Sequence, residues 1–417
     1  MIRKCYRSLQ FALLALIALS AQSAFAQAGD TLLVEWETSP GSFEPLRNAL
    51  RDAIINDVDR PANRVYQLRR GGFYWITDPI VNTDFPLVIV GQNASQARPE
   101  DNVCGPNGDA DCGPAIIQRV SRQDGSAPSG TMFEATDDLT VKNIWIMGQT
   151  DVGNLANYEP IKLLGDGKNY VFDRVVFDRN DWHHLGIDGP NNDLFITNSS
   201  FRNSFGPTQI WEGLGLRLEV GADTVIIENN TFINIGFTPY QSEAAPANYL
   251  RFNHNTLVNI GRSFQAGSAW IESYVTNNLF VNGFIQGESQ AQYSDPERVD
   301  PYTGFFGIAA LPSQYGLEEQ RRVVLNNNLF WRDPAFDPIY NTDPNQIRPQ
   351  PFVNDTTLGW FERYDGMVME NNVLDAQPNF ATYPLTDAMV DSFTVYINNL
   401  YANPVITPAP RWFWDPG

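Results

Sequence analysis

Residues 226–236 read IIENNTFINIG, and the same phrase returns as RFNHNTLVNIG at 251–261 and YVTNNLFVNG at 274–283. It continues as VVLNNNLFW at 323–331, VMENNVLD at 368–375 and VYINNLYAN at 395–403, with a degraded copy, ITNSSFRNS, at 196–204. A short apolar strand runs into two Asn, then a bulky apolar residue, then often a third Asn. The bulky residues are Phe201, Phe232, Leu257, Phe280, Phe330, Leu374 and Tyr401, spaced 31, 25, 23, 50, 44 and 27 apart. Two weaker copies stand upstream at Trp145 and Phe177. A period of ~20–30 residues built from strands predicts a solenoid whose coils bury their faces against their neighbours.

The Asn has a task in such a stack. Asn230, Asn255, Asn278, Asn328, Asn372 and Asn399 stand two residues before the bulky position. Asn tolerates the left-handed backbone of a sharp corner, and its amide can bond nearby backbone. With coils ~4.8 Å apart, these amides can also bond one another in a ladder. The bulky residues would stack inside as a column. A second series, Asn203, Asn234, Asn259, Asn282 and Asn403, falls two residues after the bulky position and would mark another row.

This register resembles the right-handed parallel β-helix of the pectate-lyase-like superfamily over roughly residues 130–405. The resemblance implies an all-β chain forming a single right-handed parallel β-helix. Polysaccharide lyases, glycoside hydrolases and non-catalytic proteins share that fold, so it does not by itself choose a function.

Residues 1–26 read as a bacterial export signal, so the expected location is secreted or periplasmic. Arg3, Lys4 and Arg7 precede an apolar run over 11–19, and Ala24-Phe25-Ala26 is the cleavage site. The run is too short to span a bilayer, and no second sorting domain is evident near the closing WFWDPG. Residues 27–129 are read as an N-terminal cap with the first, irregular coils. A helix over 43–57, with Ser42 as its cap, is expected to cover the open end of the stack. Residues 130–417 carry the regular coils, with long insertions near 285–320 and 333–363. Tyr293, Tyr302, Phe305, Tyr340, Trp360, Phe361 and Tyr364 in those insertions either stack on sugars or pin the loops to the wall.

Cys104 and Cys112, in CGPNGDADC, predict a disulfide-closed loop in an exported chain. The competing reading is a calcium loop through Asp101, Asn107, Asp109 and Asp111. The net charge of −20 becomes −23 without residues 1–26. Such a surface repels polyanions, which argues against nucleic acid as a partner. No membrane insertion is expected, and the chain is read as a monomer.

Each coil divides into three strands, exemplified by GLGLRLEVG, DTVIIENN and TFINIG. In the family resembled, the substrate cleft commonly runs along the first strand. Strand alternation there places Lys162, His184, Asp188, Arg217 and Glu219 outward, and the next coil offers Glu243. Two chemistries can use this set on an extended polysaccharide. A lyase needs a base, and a cation (Arg217 or Lys162) for the developing enolate, with Asp188, Glu219 or Glu243 holding calcium. A glycoside hydrolase needs two carboxyl groups, drawn from Asp188, Glu219 and Glu243. A glycan-binding or scaffold protein without catalysis is the alternative. His254, at an Asn corner, is read as structural. His183 is expected to pack or cap a turn while His184 contacts substrate.

Overall fold

A computed structural model describes residues 30–374 apart from 40–41, 43, 97–112, 127, 129, 152–158, 206–211, 243–244, 267–268, 288–303, 338–339 and 341–348. The export signal, Cys104, Cys112, the calcium-loop residues, Glu243, Asn399, Tyr401 and Asn403 lie outside the described residues.

The strands divide as the sequence suggests. One coil supplies Leu214–Leu218, Thr224–Glu228 and Thr231–Ile235. Each pairs in parallel with its equivalent one coil before and one coil after. The second and third strands of successive coils stack as two rows. Two long strands, Leu139–Met147 and Asn169–Asn180, run through both rows and join them into one 19-stranded sheet. The first strands stack separately as a seven-stranded sheet. Among the described residues only two α-helices occur, α1 over Ala49–Asn56 and α2 over Asp355–Arg363. This all-β architecture of parallel strands is compatible with a parallel β-helix.

The bulky residues stack in register from Phe177 through Phe201, Phe232, Leu257, Phe280 and Phe330 to Leu374. The Phe201 and Phe232 rings lie 4.7 Å apart and 6° from parallel, both fully buried. Upstream the expectation is off by one residue. Ile146 pairs with Phe177 and is buried, whereas Trp145 pairs with Val176 and faces out.

The two Asn of each phrase divide the labour differently from the sequence reading. The residue three before the bulky position takes the left-handed backbone: Asn198, Asn229, His254, Asn277, Asn327 and Asn371 have φ between 52° and 57°. The second Asn is freed to turn inward. Asn230, Asn255, Asn278 and Asn328 are buried; Oδ1 of each of the last three accepts from the backbone N–H and Nδ2 of the Asn one coil earlier, and Asn230 Oδ1 accepts from the Ser199 N–H. Each donates its Nδ2 to a strand carbonyl as well. Where the phrase degrades, Ser199 takes the position and its hydroxyl accepts from the Val175 N–H at 3.0 Å. The second series, Asn203, Asn234, Asn259 and Asn282, forms its own ladder and is left-handed throughout.

Helix α1 begins six residues later than expected. Ser42 does not cap it. Asn48 precedes it at φ 61° and spends its side chain on Thr77 instead. Residues just upstream are held in bridges, Glu37 with Pro45 and Arg47 with Trp75. Leu50 and Ile54 still reach the common core.

Among the described residues the two insertions add no strand between these rows, since Phe280 pairs directly with Phe330 and Phe330 with Leu374. Their chain lines the core where the seven-stranded sheet ends. The Phe264 N–H donates to the Phe305 carbonyl, and Phe305 and Phe306 donate to Pro351 and Phe352. Phe305, Phe306 and Phe352 are buried, Tyr340 bonds the Ile285 carbonyl, and Trp360 stacks on Tyr364 at 5.7 Å. These aromatics pin the chain down. Tyr293 and Tyr302 lie outside the described residues.

Candidate functional site

On the seven-stranded sheet, Ile161, Leu163, Leu185, Ile187, Leu216 and Leu218 point to the core. The alternate positions form one outward line, with Glu134 beside Lys162, then Gly186, Arg217, Gln241 and Ala266. Gly186, itself buried, sits between the two cations along this line. A Cβ there would come within 2.9 Å of His183 Nε2 and 3.3 Å of Glu159 Cγ.

Four of the expected residues gather around Gly186. Lys162 Nζ lies 3.0 Å from Glu159, and Arg217 Nη1 lies 2.8 Å from Glu219. Burial alone would lower the Lys162 ammonium, but its hydrogen bond to Glu159 and the charges of Glu159, Asp188 and Glu134 outweigh this and hold it above its ordinary value. Asp188 is half-buried, and its Oδ1 is enclosed without a hydrogen-bond partner. Burial, reinforced by Glu159, raises its carboxyl above the ordinary range against the pull of Lys162 and Arg217.

His184 does not face out. Strand alternation slips at His184–Leu185, so both side chains point to the core. The His184 ring packs 6.0 Å from Phe177 and 5.9 Å from Phe201, and burial pushes its pKa down to about 3. Its neighbour takes the outward place. His183 Nε2 lies 3.7 Å from Glu159 Oε2, with the Trp182 ring 5.6 Å away. His183 is 1 % exposed, and neither ring nitrogen has a hydrogen-bond partner. Burial, with Arg217, His184 and Lys162 adding to it, keeps the imidazole neutral far below its ordinary pKa.

Two further groups escaped the sequence reading because they precede the strands rather than alternate within them. Extending the register of Ile161 with Leu185 backwards places Glu159 opposite His183. Extending that of His183 with Leu214 places Asp181 opposite Glu212. Asp181 and Glu212 are both buried, and Asp181 Oδ1 has no hydrogen-bond partner. Burial first, then Glu212, lifts the Asp181 pKa to about 7, opposed by Arg119. The folded state therefore keeps a proton that the unfolded chain releases near pH 4, so stability falls as pH rises from about 4 to 7. Asp181→Asn removes that loss. Denaturant midpoints should show the variant more stable than wild type by on the order of 3 kcal/mol at pH 8 and similar to it at pH 4. A difference independent of pH would contradict the assignment.

Among the described residues no three His, Cys, Asp or Glu side chains are placed to hold a metal ion. Glu219 pairs with Arg217, and Glu243 lies outside the described residues. No helix of the described residues is long and apolar enough to cross a membrane.

A groove of about 520 Å³ lies elsewhere, along the Asn corner between the two rows of the larger sheet. Asn229, His254, Asn277, Asn327 and Asn371 rim it. It contains no carboxylate, and the buried amides beneath it are occupied by the ladder. It offers no acid–base pair.

Compared with family models and with curated proteins, the sequence matches none.

Proposed function

We propose that this chain is an exported, polysaccharide-active protein with a right-handed parallel β-helix of the pectate-lyase-like kind, and that its site is the outer face of the seven-stranded sheet around Gly186. The observation that carries the reading is the gathering of Glu159, Lys162, His183, Asp188, Arg217 and Glu219 on successive strands around Gly186. Outward residues repeating at ~4.8 Å suit an extended glycan, which engages several coils at once.

Of the two chemistries, acid–base hydrolysis fits better than elimination. Both cations are already bonded to carboxylates, so neither is held in reserve for an enolate. Asp188, whose carboxyl burial raises above its ordinary value, is the residue placed to donate a proton to a leaving glycosidic oxygen. Glu219, held against Arg217, supplies the carboxylate that activates water or attacks the sugar carbon. As the C–O bond breaks, the Asp188 proton passes to the departing oxygen. The same two ion pairs favour one second reading, glycan binding without turnover, since charge pairs of this kind also occur in purely structural walls.

Asp188→Asn decides between them. A hydrolase should lose at least 100-fold in turnover, read as new reducing ends, while keeping glycan binding and thermal midpoint. In wild type, turnover should fall as pH rises through the raised Asp188 value, because the acid form is lost. Unchanged turnover in Asp188→Asn, with that alkaline limb still present, would place the acid elsewhere.

A further inference from the structure

The last described coil presents an apolar end. Met367–Glu370 and Val373–Leu374 pair with the coil before them, and among the described residues no strand pairs with their other edges. The bulky column stops in the same place. Phe177, Phe201, Phe232, Leu257, Phe280 and Phe330 are at most 2 % exposed, whereas Leu374, next in that register, is 44 % exposed and Val373 is 47 % exposed. Met369 follows Leu325 in register, yet it is only partly buried where Leu325 is fully so. An apolar coil face beside an open strand edge is the surface that a further coil covers.

The inner Asn ladder points the same way. Asn230, Asn255, Asn278 and Asn328 each donate their backbone N–H and Nδ2 to the Oδ1 of the next Asn, which for Asn328 is Asn372. Asn372 donates its Nδ2 to the Leu325 carbonyl, but no described residue accepts its backbone N–H. The sequence holds one more rung. VYINNLYAN at 395–403 follows VMENNVL at 368–374 position for position, which aligns Tyr396 with Met369, Asn399 with Asn372 and Tyr401 with Leu374. Tyr401 comes 27 residues after Leu374, within the 23–31 that separate Phe201, Phe232, Leu257 and Phe280. One coil without an insertion spans that interval.

We infer that the exposed end at Val373 and Leu374 is the docking face for residues 395–403 of this same chain, a segment outside the described residues. In that register Asn399 accepts from the Asn372 N–H and Nδ2, and Tyr401 covers Leu374. The second Asn series does not continue with it. That ladder stops at Asn282, whose Oδ1 accepts from the Asp333 N–H, and the position two after Leu374 is Ala376, so Asn403 has no rung to meet.

The test uses the full-length protein. Leu374→Cys with Tyr401→Cys should form a disulfide within one chain under mild oxidation, because in-register neighbours on adjacent coils lie ~4.8 Å apart, a spacing that a disulfide accepts. Leu374→Cys with Tyr396→Cys, offset onto the other row, should not. Peptide mass spectrometry separates both links from any made by Cys104 and Cys112. Asn399→Ala and Tyr401→Ala should each speed amide hydrogen exchange over residues 367–374 by about 10-fold or more and leave residues 224–235 unchanged. Asn403→Ala should alter neither. If the cysteine pairs do not fold, the exchange measurement decides alone. Absence of the 374–401 link in folded protein would overturn the inference, as would equal linkage in both pairs. So would exchange over 367–374 that is unmoved by Asn399→Ala and Tyr401→Ala. A link joining two chains would assign this end to a second copy and overturn it too.

Discussion

Asn255→Ala should destabilise the protein by roughly 3–6 kcal/mol, out of proportion to the few atoms removed. The Asn255 Oδ1 accepts from the Asn230 backbone N–H at 2.9 Å and from the Asn230 Nδ2 at 3.1 Å. Its own Nδ2 donates to the Ile227 carbonyl at 2.9 Å and to Asn278 Oδ1 at 3.1 Å. The residue is 1 % exposed, so water does not replace the lost partners. An orphaned buried donor or acceptor costs about 1–3 kcal/mol, and this substitution strands several. Asn277→Ala is the matched control. Asn277 is exposed and contributes mainly its left-handed backbone at φ 57°, so its loss should cost about 1–2 kcal/mol. Equal denaturant midpoints for the two variants would show that the inner ladder does not hold the coils together.

The second large effect lies in the column beside that ladder. Phe232→Ala should cost ~3–5 kcal/mol, because it opens a hole between coils that cannot collapse independently. Phe232 is fully buried, stacked on Phe201 and 5.8 Å from Phe252. Its register neighbour on the other side is Leu257. A thermal midpoint unchanged by the substitution would contradict the column.

Both expectations trace to one phrase in the sequence, and the contrast between them shows what a sequence yields. The spacing of Phe201, Phe232, Leu257 and Phe280 is a register, and the strands pair along it. Across the 50- and 44-residue gaps the spacing alone left room for an extra coil, and only the direct pairing of Phe280, Phe330 and Leu374 decides the register there. Which Asn of a pair turns the corner was not legible. Both have the same chemistry, and only the backbone decides that Asn229 takes φ 57° while Asn230 turns inward.

On the seven-stranded sheet, the outward placement of Lys162, Asp188, Arg217 and Glu219 was legible from simple alternation, which holds wherever a strand is regular. His183 and His184 were exchanged because alternation slips by one residue there, a local event with no marker in the sequence. Glu159, Asp181 and Glu212 precede their strands, so a rule counted within strands does not reach them. That Gly186 stands between Lys162 and Arg217 emerges only once the strands pair.

The most direct measurement of the central claim is a crystal structure of Asp188→Asn soaked with an oligosaccharide that the wild-type protein binds. The account predicts sugar density along the outer face of the seven-stranded sheet. The chain should run along the line of Lys162 and Arg217, within reach of Asp188 and Glu219. Sugar density in the Asn-corner groove between Asn229 and Asn371, with the face around Gly186 bare, would contradict it.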